Sequence, residues 1–234
     1  MTAGPRISVI LPVYLNRPHL PDLYRRLTAV MPSLTNRYEL VFVDDAGGDG
    51  ALEWLRACHA KDDRVVVVEL AHNVGQHAAV MAGLTQSSGE VVGVMDADLQ
   101  DPPEDLPRLV YALGSEDAVV FARRVLRHQS WGRHLTGRLF KRLLRRLAGS
   151  RVPAGTGMFF VTSRGVIDKA RALPIPARYV PLLLAQTGVP MRAIDVTKQL
   201  RTDRRSAYSA RRRVELAMAA IRQALEWRRT TKRR

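Results

Sequence analysis

Within Val94–Pro103 (VMDADLQDPP), Asp96, Asp98 and Asp101 stand with Gln100 inside six residues. An apolar run, Glu90–Met95, leads into them, and Pro102-Pro103 closes the stretch. Carboxylates crowded at one strand end repel one another unless they share a cation. Hard oxygen ligands of this kind suit Mg²⁺ or Mn²⁺ rather than zinc. The same spacing also fits a polar turn with acidic residues at a helix start. Which of the two applies depends on the elements that place the stretch.

Those elements alternate. Ile7–Val13 (ISVILPV) reads as a buried strand, with Pro12 tolerable only at a strand end. A helical pattern over Leu20–Met31 follows, then the strand Tyr38–Val43, which runs into Asp44-Asp45. Gly47–Gly50 is a loop and Ala51–Ala60 a helix. Arg64–Leu70 is a strand, His72–Gly75 a turn, and Gln76–Gln86 a helix whose Ala78, Ala79, Ala82 and Gly83 permit close packing. Glu90–Met95, the helix Pro103–Leu113 and the short strand Ala118–Phe121 complete the first half. Apolar strands alternating with helices predict an α/β fold: a doubly wound, mostly parallel sheet covered on both faces. Ligands of such sheets sit outside the carboxyl ends of the strands. Polar residues gather there after four successive strands: Tyr14, Asp44 with Asp45, Asn73 with Gly75, and Asp96 with Asp98. A nucleotide-type site is the expectation. No Gly-x-Gly-x-x-Gly follows the first strand and no Gly-x-x-x-x-Gly-Lys-Ser/Thr occurs, which excludes the usual dinucleotide and P-loop signatures.

The second half differs in charge. Of the 234 residues, 1–122 hold 9 Lys/Arg against 17 Asp/Glu, a net of −8, while 123–234 hold 28 against 5, a net of +23, recovering the overall +15. Such a half attracts phosphate groups or an anionic membrane surface. It lacks an aromatic stacking pattern and any nucleic-acid-binding motif, so no nucleic acid is expected as partner. Gln129–Ala148 reads as a basic amphipathic helix. Met158–Thr162 and Met191–Val196 read as strands, Ser163–Leu173 and Pro181–Gly188 as helical, Lys198–Ala207 as an Arg-dense loop, and Ser209–Arg229 as a long basic amphipathic helix. The expected division is a domain over 1–207 and a C-terminal helix and tail over 208–234. No stretch of 18 apolar residues exists, and the N-terminus shows no basic region followed by an apolar one. Cys58 has no cysteine to pair with, so the expected location is cytoplasmic, peripheral at the inner membrane face if the basic half docks there.

Taken together, ISVILPVYLN, VFVDDAGGDG, NVGQHAAVMAGL, MDADLQDPPEDLPRL, QSWGRHLTGRLFKRLL and RTDRRSAYS carry a specific likeness. Across residues 7–210 the chain resembles the family-2, GT-A-fold glycosyltransferases, and within them those that act on polyprenyl phosphates. The resemblance implies transfer of a sugar from a nucleotide-diphosphate sugar, with inversion, to a polyprenyl phosphate. UDP is the favoured nucleotide, with GDP and dTDP as alternatives. It implies that Pro12, Tyr14, Asp44, Asp45, Gly75, Gln76, His77, Asp96 and Ala97 border the nucleotide or sugar. Asp96, Asp98 and Gln100 would hold Mg²⁺ or Mn²⁺. Asp98, Arg124 and Arg201 would carry the chemistry, and Arg127, Arg133, Arg138 and Ser206 would grip the acceptor or donor phosphate. Three departures fall on the acceptor side. Arg204-Arg205-Ser206-Ala207-Tyr208 stands where Gly-Glu-Ser-Lys-Tyr is common, Ala154-Gly155-Thr156 lacks an Asp that relatives often place there, and Phe160 replaces an Arg. An alternative therefore keeps the donor chemistry and gives the sugar to a soluble small-molecule acceptor such as a secondary-metabolite scaffold.

Overall fold

The computed structural model describes residues 6–125, 152–175, 179–197 and 210–231. The first half follows the expected alternation: β1 (Ile7–Val13), α1 (Leu20–Val30), β2 (Tyr38–Asp44), α2 (Ala51–His59), β3 (Val65–Glu69), α3 (Gln76–Gln86), β4 (Val91–Val94) and α4 (Leu106–Leu113). Then come β5 (Val119–Val125), β6 (Thr156–Ser163), α5 (Arg164–Arg171), α6 (Val180–Gln186), β7 (Met191–Thr197) and α7 (Ala210–Thr231). The bounds of β1 and α3 coincide with those read from the sequence. β5 is longer than Ala118–Phe121, because its partner β7 continues the ladder to Val125 opposite Thr197. The expected helix over Gln129–Ala148 and the loop Lys198–Ala207 lie outside the described residues.

The sheet has seven strands in the order β3-β2-β1-β4-β6-β5-β7. β1 pairs in parallel with β2 and β4, β2 with β3, and β5 with β7. β6 alone runs antiparallel, against both β4 and β5. The sheet is therefore mixed and mostly parallel. The reversal of β6 is a matter of tertiary pairing: its apolar centre, Met158–Val161, is buried and carries no mark of the strand's direction.

Helices cover both faces, as a doubly wound sheet requires. On one face Leu20, Leu23 and Leu27 of α1 and Leu106, Leu109 and Leu113 of α4, each spaced i, i+3, i+7, meet Val9, Leu11, Leu40 and Phe42. That spacing lines one side of a helix, which explains why these segments are helical and which side they bury. On the other face α3 lays Ala79, Val80 and Leu84 on Ile10, Val41 and Val43, with α5 and α6 beside it. A Cβ on Gly83 would lie 2.5 Å from Ile10 Cγ2, so glycine sets how closely α3 approaches the sheet. Pro12 is accommodated because β4 ends opposite Ile10 and leaves that flank of β1 without a ladder partner. α7 rests on α6 through Ala220, Ala224 and Leu182. Among the described residues no helix is long and apolar enough to cross a membrane.

Candidate active site

Because β1, β2, β3 and β4 are parallel, the loops that follow them leave from one edge of the sheet. Three residues other than glycine adopt positive φ there: Leu15 (56°) after β1, Ala46 (53°) after β2 and Leu99 (57°) after β4. This conformation costs an L residue about 1–2 kcal/mol, so the surrounding packing must impose it. The packing is visible at Gly47, where a Cβ would lie 2.9 Å from the Leu15 nitrogen. The first two loops thus touch backbone to backbone. Asp49 ties them further, accepting from the Arg17 amide at 2.8 Å and the Ala51 amide at 3.3 Å.

The adjacent carboxylates of Asp44 and Asp45 do different work. Asp44 closes β2, is 4% exposed, and its Oδ1 has no partner among the described residues. Burial pushes its pKa up, against the pull of the Ala46 amide. A buried acceptor left open is unfavourable unless something donates to it. Asp45, 3% exposed, turns inward instead. Its two carboxylate oxygens accept from the amides of Val74 at 2.7 Å and Gly75 at 3.0 Å. Its own carbonyl accepts from Asn73 Nδ2 at 3.2 Å, and its amide donates to Val13 at 2.9 Å. Asp45 therefore holds the turn after β3. Gly75 sits at φ 89°, a value that favours glycine, and starts α3 there.

The acidic stretch follows β4. Ala97 is 2% exposed and packs into the core, so its place at the site is as backbone beneath the two aspartates that flank it. Asp96 accepts a short hydrogen bond from Gln76 Nε2 at the start of α3. Asp98 accepts from the Gln100 amide at 3.1 Å, an Asx-type turn that Leu99 completes with its left-handed backbone. Its other oxygen accepts from Gln100 Nε2 at 2.5 Å. Asp101 is fully buried and belongs to the scaffold of the loop. Downstream, Arg26 of α1 clamps Glu104 through two bonds of 2.8 and 2.5 Å, fixing the far end of the acidic loop. Among the described residues no three His, Cys, Asp or Glu side chains form a ready metal cage. What the loop offers is two carboxylates and an amide, all with oxygen donors. That is the donor set of a hard divalent cation whose remaining positions go to water and phosphate oxygens.

The other predicted residues fall as follows. Pro12 is buried at the end of β1, and Tyr14 is half-buried with its amide on Asn16 Oδ1 at 3.0 Å. His77 is buried and packs edge-to-face against Tyr179. Arg124 lies in β5 opposite Val196, near the same edge of the sheet. Arg127, Arg133, Arg138, Arg201 and Ser206 lie outside the described residues. The chain enters their two segments from the carboxyl ends of β5 and β7, on the edge that carries the aspartates. Sequence reasoning missed Asp49, although an Asp two residues ahead of a helix was a legible signal. It also missed Arg26 and Glu104, which lie 78 residues apart and carry no local signal.

The model of glycosyl transferase family 2 matches residues 8–171. The chain belongs to that family. It is a glycosyltransferase, and the matched region contains β2 to β6, all of β1 but its first residue, and the carboxyl ends of β1 to β4. Solved structures share its fold. Glucosyl-3-phosphoglycerate synthase from Mycobacterium tuberculosis, in complex with Mn²⁺, UDP and phosphoglyceric acid, superposes with a TM-score of 0.69 at 19% identity, covering 96% of this chain and 78% of that one. Mannosyl-3-phosphoglycerate synthase from Rubrobacter xylanophilus gives 0.67 at 18% identity, covering 98% and 76%. A mannosyltransferase from Pyrobaculum calidifontis, in complex with GDP-Man and Mn²⁺, gives 0.62 at 18%, covering 97% and 73%.

Proposed function

We propose that this glycosyltransferase moves a sugar from a nucleoside-diphosphate sugar to a small anionic acceptor, with Mg²⁺ or Mn²⁺ at the acidic loop. The observation that carries the reading is the pair Asp96 and Asp98. Both flank the buried Ala97 at the carboxyl end of β4, and Gln76 holds the first of them. Asp96, Asp98 and Gln100 would hold the cation, which supplies charge neutralisation for the departing nucleoside diphosphate. The open Oδ1 of Asp44 would accept from a base or ribose donor. Asp45 would shape the pocket indirectly, by holding the Asn73–Gly75 turn. The acceptor attacks the anomeric carbon from the face opposite the leaving group, and the configuration inverts.

Two observations support a small anionic acceptor. The structures of similar fold include a glucosyl-3-phosphoglycerate synthase in complex with phosphoglyceric acid and a mannosyl-3-phosphoglycerate synthase. The half of the chain beyond residue 122 carries a net charge of +23, which favours an anionic partner. A polyprenyl phosphate, the acceptor implied by the sequence resemblance, presents a similar anionic group on a lipid. The assay therefore runs both arms. Calorimetry with UDP, GDP and dTDP in the presence of Mn²⁺ identifies the donor nucleotide. Labelled sugar is then followed into a phosphorylated hydroxy acid in lipid-free buffer, and into undecaprenyl phosphate in detergent. Turnover on the soluble acceptor supports the proposal, and turnover on the lipid alone overturns its acceptor half. Asp98→Ala is expected to abolish metal-dependent nucleotide binding, and an unchanged affinity refutes the role given to the loop.

A further inference from the structure

The first turn of α3 carries two neighbours with different duties. Gln76 donates to Asp96 at the sheet edge. His77 meets a different element and is 7% exposed. Its Nδ1 accepts from the amide of Val180, the first residue of α6, at 3.4 Å. That amide is one of the donors a helix start leaves without an internal partner, and the Tyr179 side chain at the cap does not satisfy it. The imidazole also meets the Tyr179 ring edge to face, with centroids 4.9 Å apart. Tyr179 is held from its other side as well. Its amide donates to Gln223 Oε1 of α7 at 2.8 Å, and Gln223 Nε2 donates to Gln186 Oε1 of α6 at 3.2 Å. An unbroken set of contacts thus runs from Asp96, through the first turn of α3, to α6 and α7.

With Nδ1 accepting, the ring hydrogen sits on Nε2 and the imidazole is neutral. Burial pushes the His77 pKa down to about 4, and burial likewise pushes the Tyr179 phenol up. A neutral ring packed among neutral groups supplies no positive charge to a diphosphate. What it supplies is a fixed position for the turn that carries Gln76.

We propose that His77 is a positioning residue: it joins the first turn of α3 to the first turn of α6, and through Tyr179 and Gln223 to α7, so that the Gln76 amide is aimed at Asp96. The proposal rests on the donor-site reading above, because His77 acts on the donor only through Gln76 and Asp96.

Two measurements test it. In the first, UDP with Mn²⁺ is titrated into wild type, His77→Leu, His77→Asn, Gln76→Ala and the His77→Leu/Gln76→Ala double variant. Losing one buried hydrogen bond and its alignment is expected to weaken binding about tenfold in His77→Leu. His77→Asn, whose amide oxygen can accept from Val180, recovers most of that loss. In the Gln76→Ala background His77→Leu adds less than about twofold, since residues acting as one unit are not additive. A full second loss in that background overturns the coupling. The other measurement needs no nucleotide. Nitrogen chemical shifts at pH 7 are expected to place the His77 hydrogen on Nε2, and amide exchange to show Val180 protected in wild type but not in His77→Leu. A protonated His77, or a Val180 amide equally protected in both, overturns the proposal. If that protection is found and wild type binds no nucleotide with Mn²⁺, the donor-site reading falls, and the junction of α3 with α6 stands.

Discussion

Substituting Asp45 tests whether the second carboxylate of the Asp44-Asp45 pair holds the protein's own backbone or the donor. In the structure it accepts from Val74 at 2.7 Å and Gly75 at 3.0 Å, and the residue is 3% exposed. Each hydrogen bond to an ionised acceptor contributes about 1.5–3 kcal/mol. Water can take up part of the vacated demand, because Val74 itself is exposed. Asp45→Ala is therefore expected to destabilise by about 3 kcal/mol, rather than by twice the upper value per bond. Asp45→Asn keeps one acceptor for Val74 but turns an N–H donor towards the Gly75 amide, and is expected to cost about half as much. Urea denaturation of the three proteins measures both values. A titration of UDP with Mn²⁺ should show weakened binding in proportion, because the Asn73–Gly75 turn leads straight into Gln76. If Asp45→Ala lies within about 0.5 kcal/mol of wild type, as for an ordinary surface change, the carboxylate does not hold the turn. A fully stable Asp45→Ala that binds no nucleotide would instead place the carboxylate on the donor and refute the assignment made here.

Two further perturbations address the scaffold. Gly83→Ala gains about 1 kcal/mol of helix propensity. It also drives a methyl to 2.5 Å from Ile10 Cγ2 and 2.9 Å from Val43 Cγ2, on β-branched strand residues that cannot rotate aside. Overpacking of this kind costs about 1–3 kcal/mol, so calorimetric melting should show a net loss, and a stabilised variant would contradict the close approach of α3. Asp62 has its pKa lowered to about 2, first by the Arg64 guanidinium that it pairs with at 2.8 Å. A carboxyl with a depressed folded pKa gives stability that is present above its ordinary value and lost as pH falls through the folded one. Wild type should therefore lose melting temperature between about pH 4 and pH 2 more steeply than Arg64→Met; equal slopes refute the pairing.

The regular elements were legible because their signals are local. Leu20, Leu23 and Leu27 repeat at helical spacing, and β1 and α3 begin and end where the sequence pattern does. The extension of β5 was not legible, because Ala122, Arg123, Arg124 and Val125 join a strand through Ile194–Thr197 of β7, with Arg123 also opposite Thr156 of β6, and both partners are distant in the chain. Arg123 of that extension pairs with Asp195 of β7 at 2.5 Å, a contact that exists only once the two strands lie side by side. The site was legible in its chemistry and not in its assignments. Asp44 and Asp45 are identical in type and adjacent in the chain, yet among the described residues one leaves an oxygen open and the other is spent on two amides. His77 adjoins Gln76 in the chain, yet its ring packs against Tyr179 while Gln76 meets Asp96.

Sequence by itself determined which chemistry is available. Oxygen donors stand at four successive strand ends, no phosphate-binding glycine signature accompanies them, and an acidic half precedes a basic one. These are properties of composition and short spacing, and they persist however the chain is folded. The tertiary structure alone decided which donor each carboxylate meets. Asp96 needs Gln76 from another loop, Asp45 needs the turn after β3, Glu104 needs Arg26 of α1, and β6 needs neighbours on both sides to give it a direction. Partners separated by tens of residues leave no trace in local periodicity, because their encounter is set by sheet order and helix packing. The acidic stretch supplied the oxygens, and the fold decided which of them accept from Gln76 and Gln100.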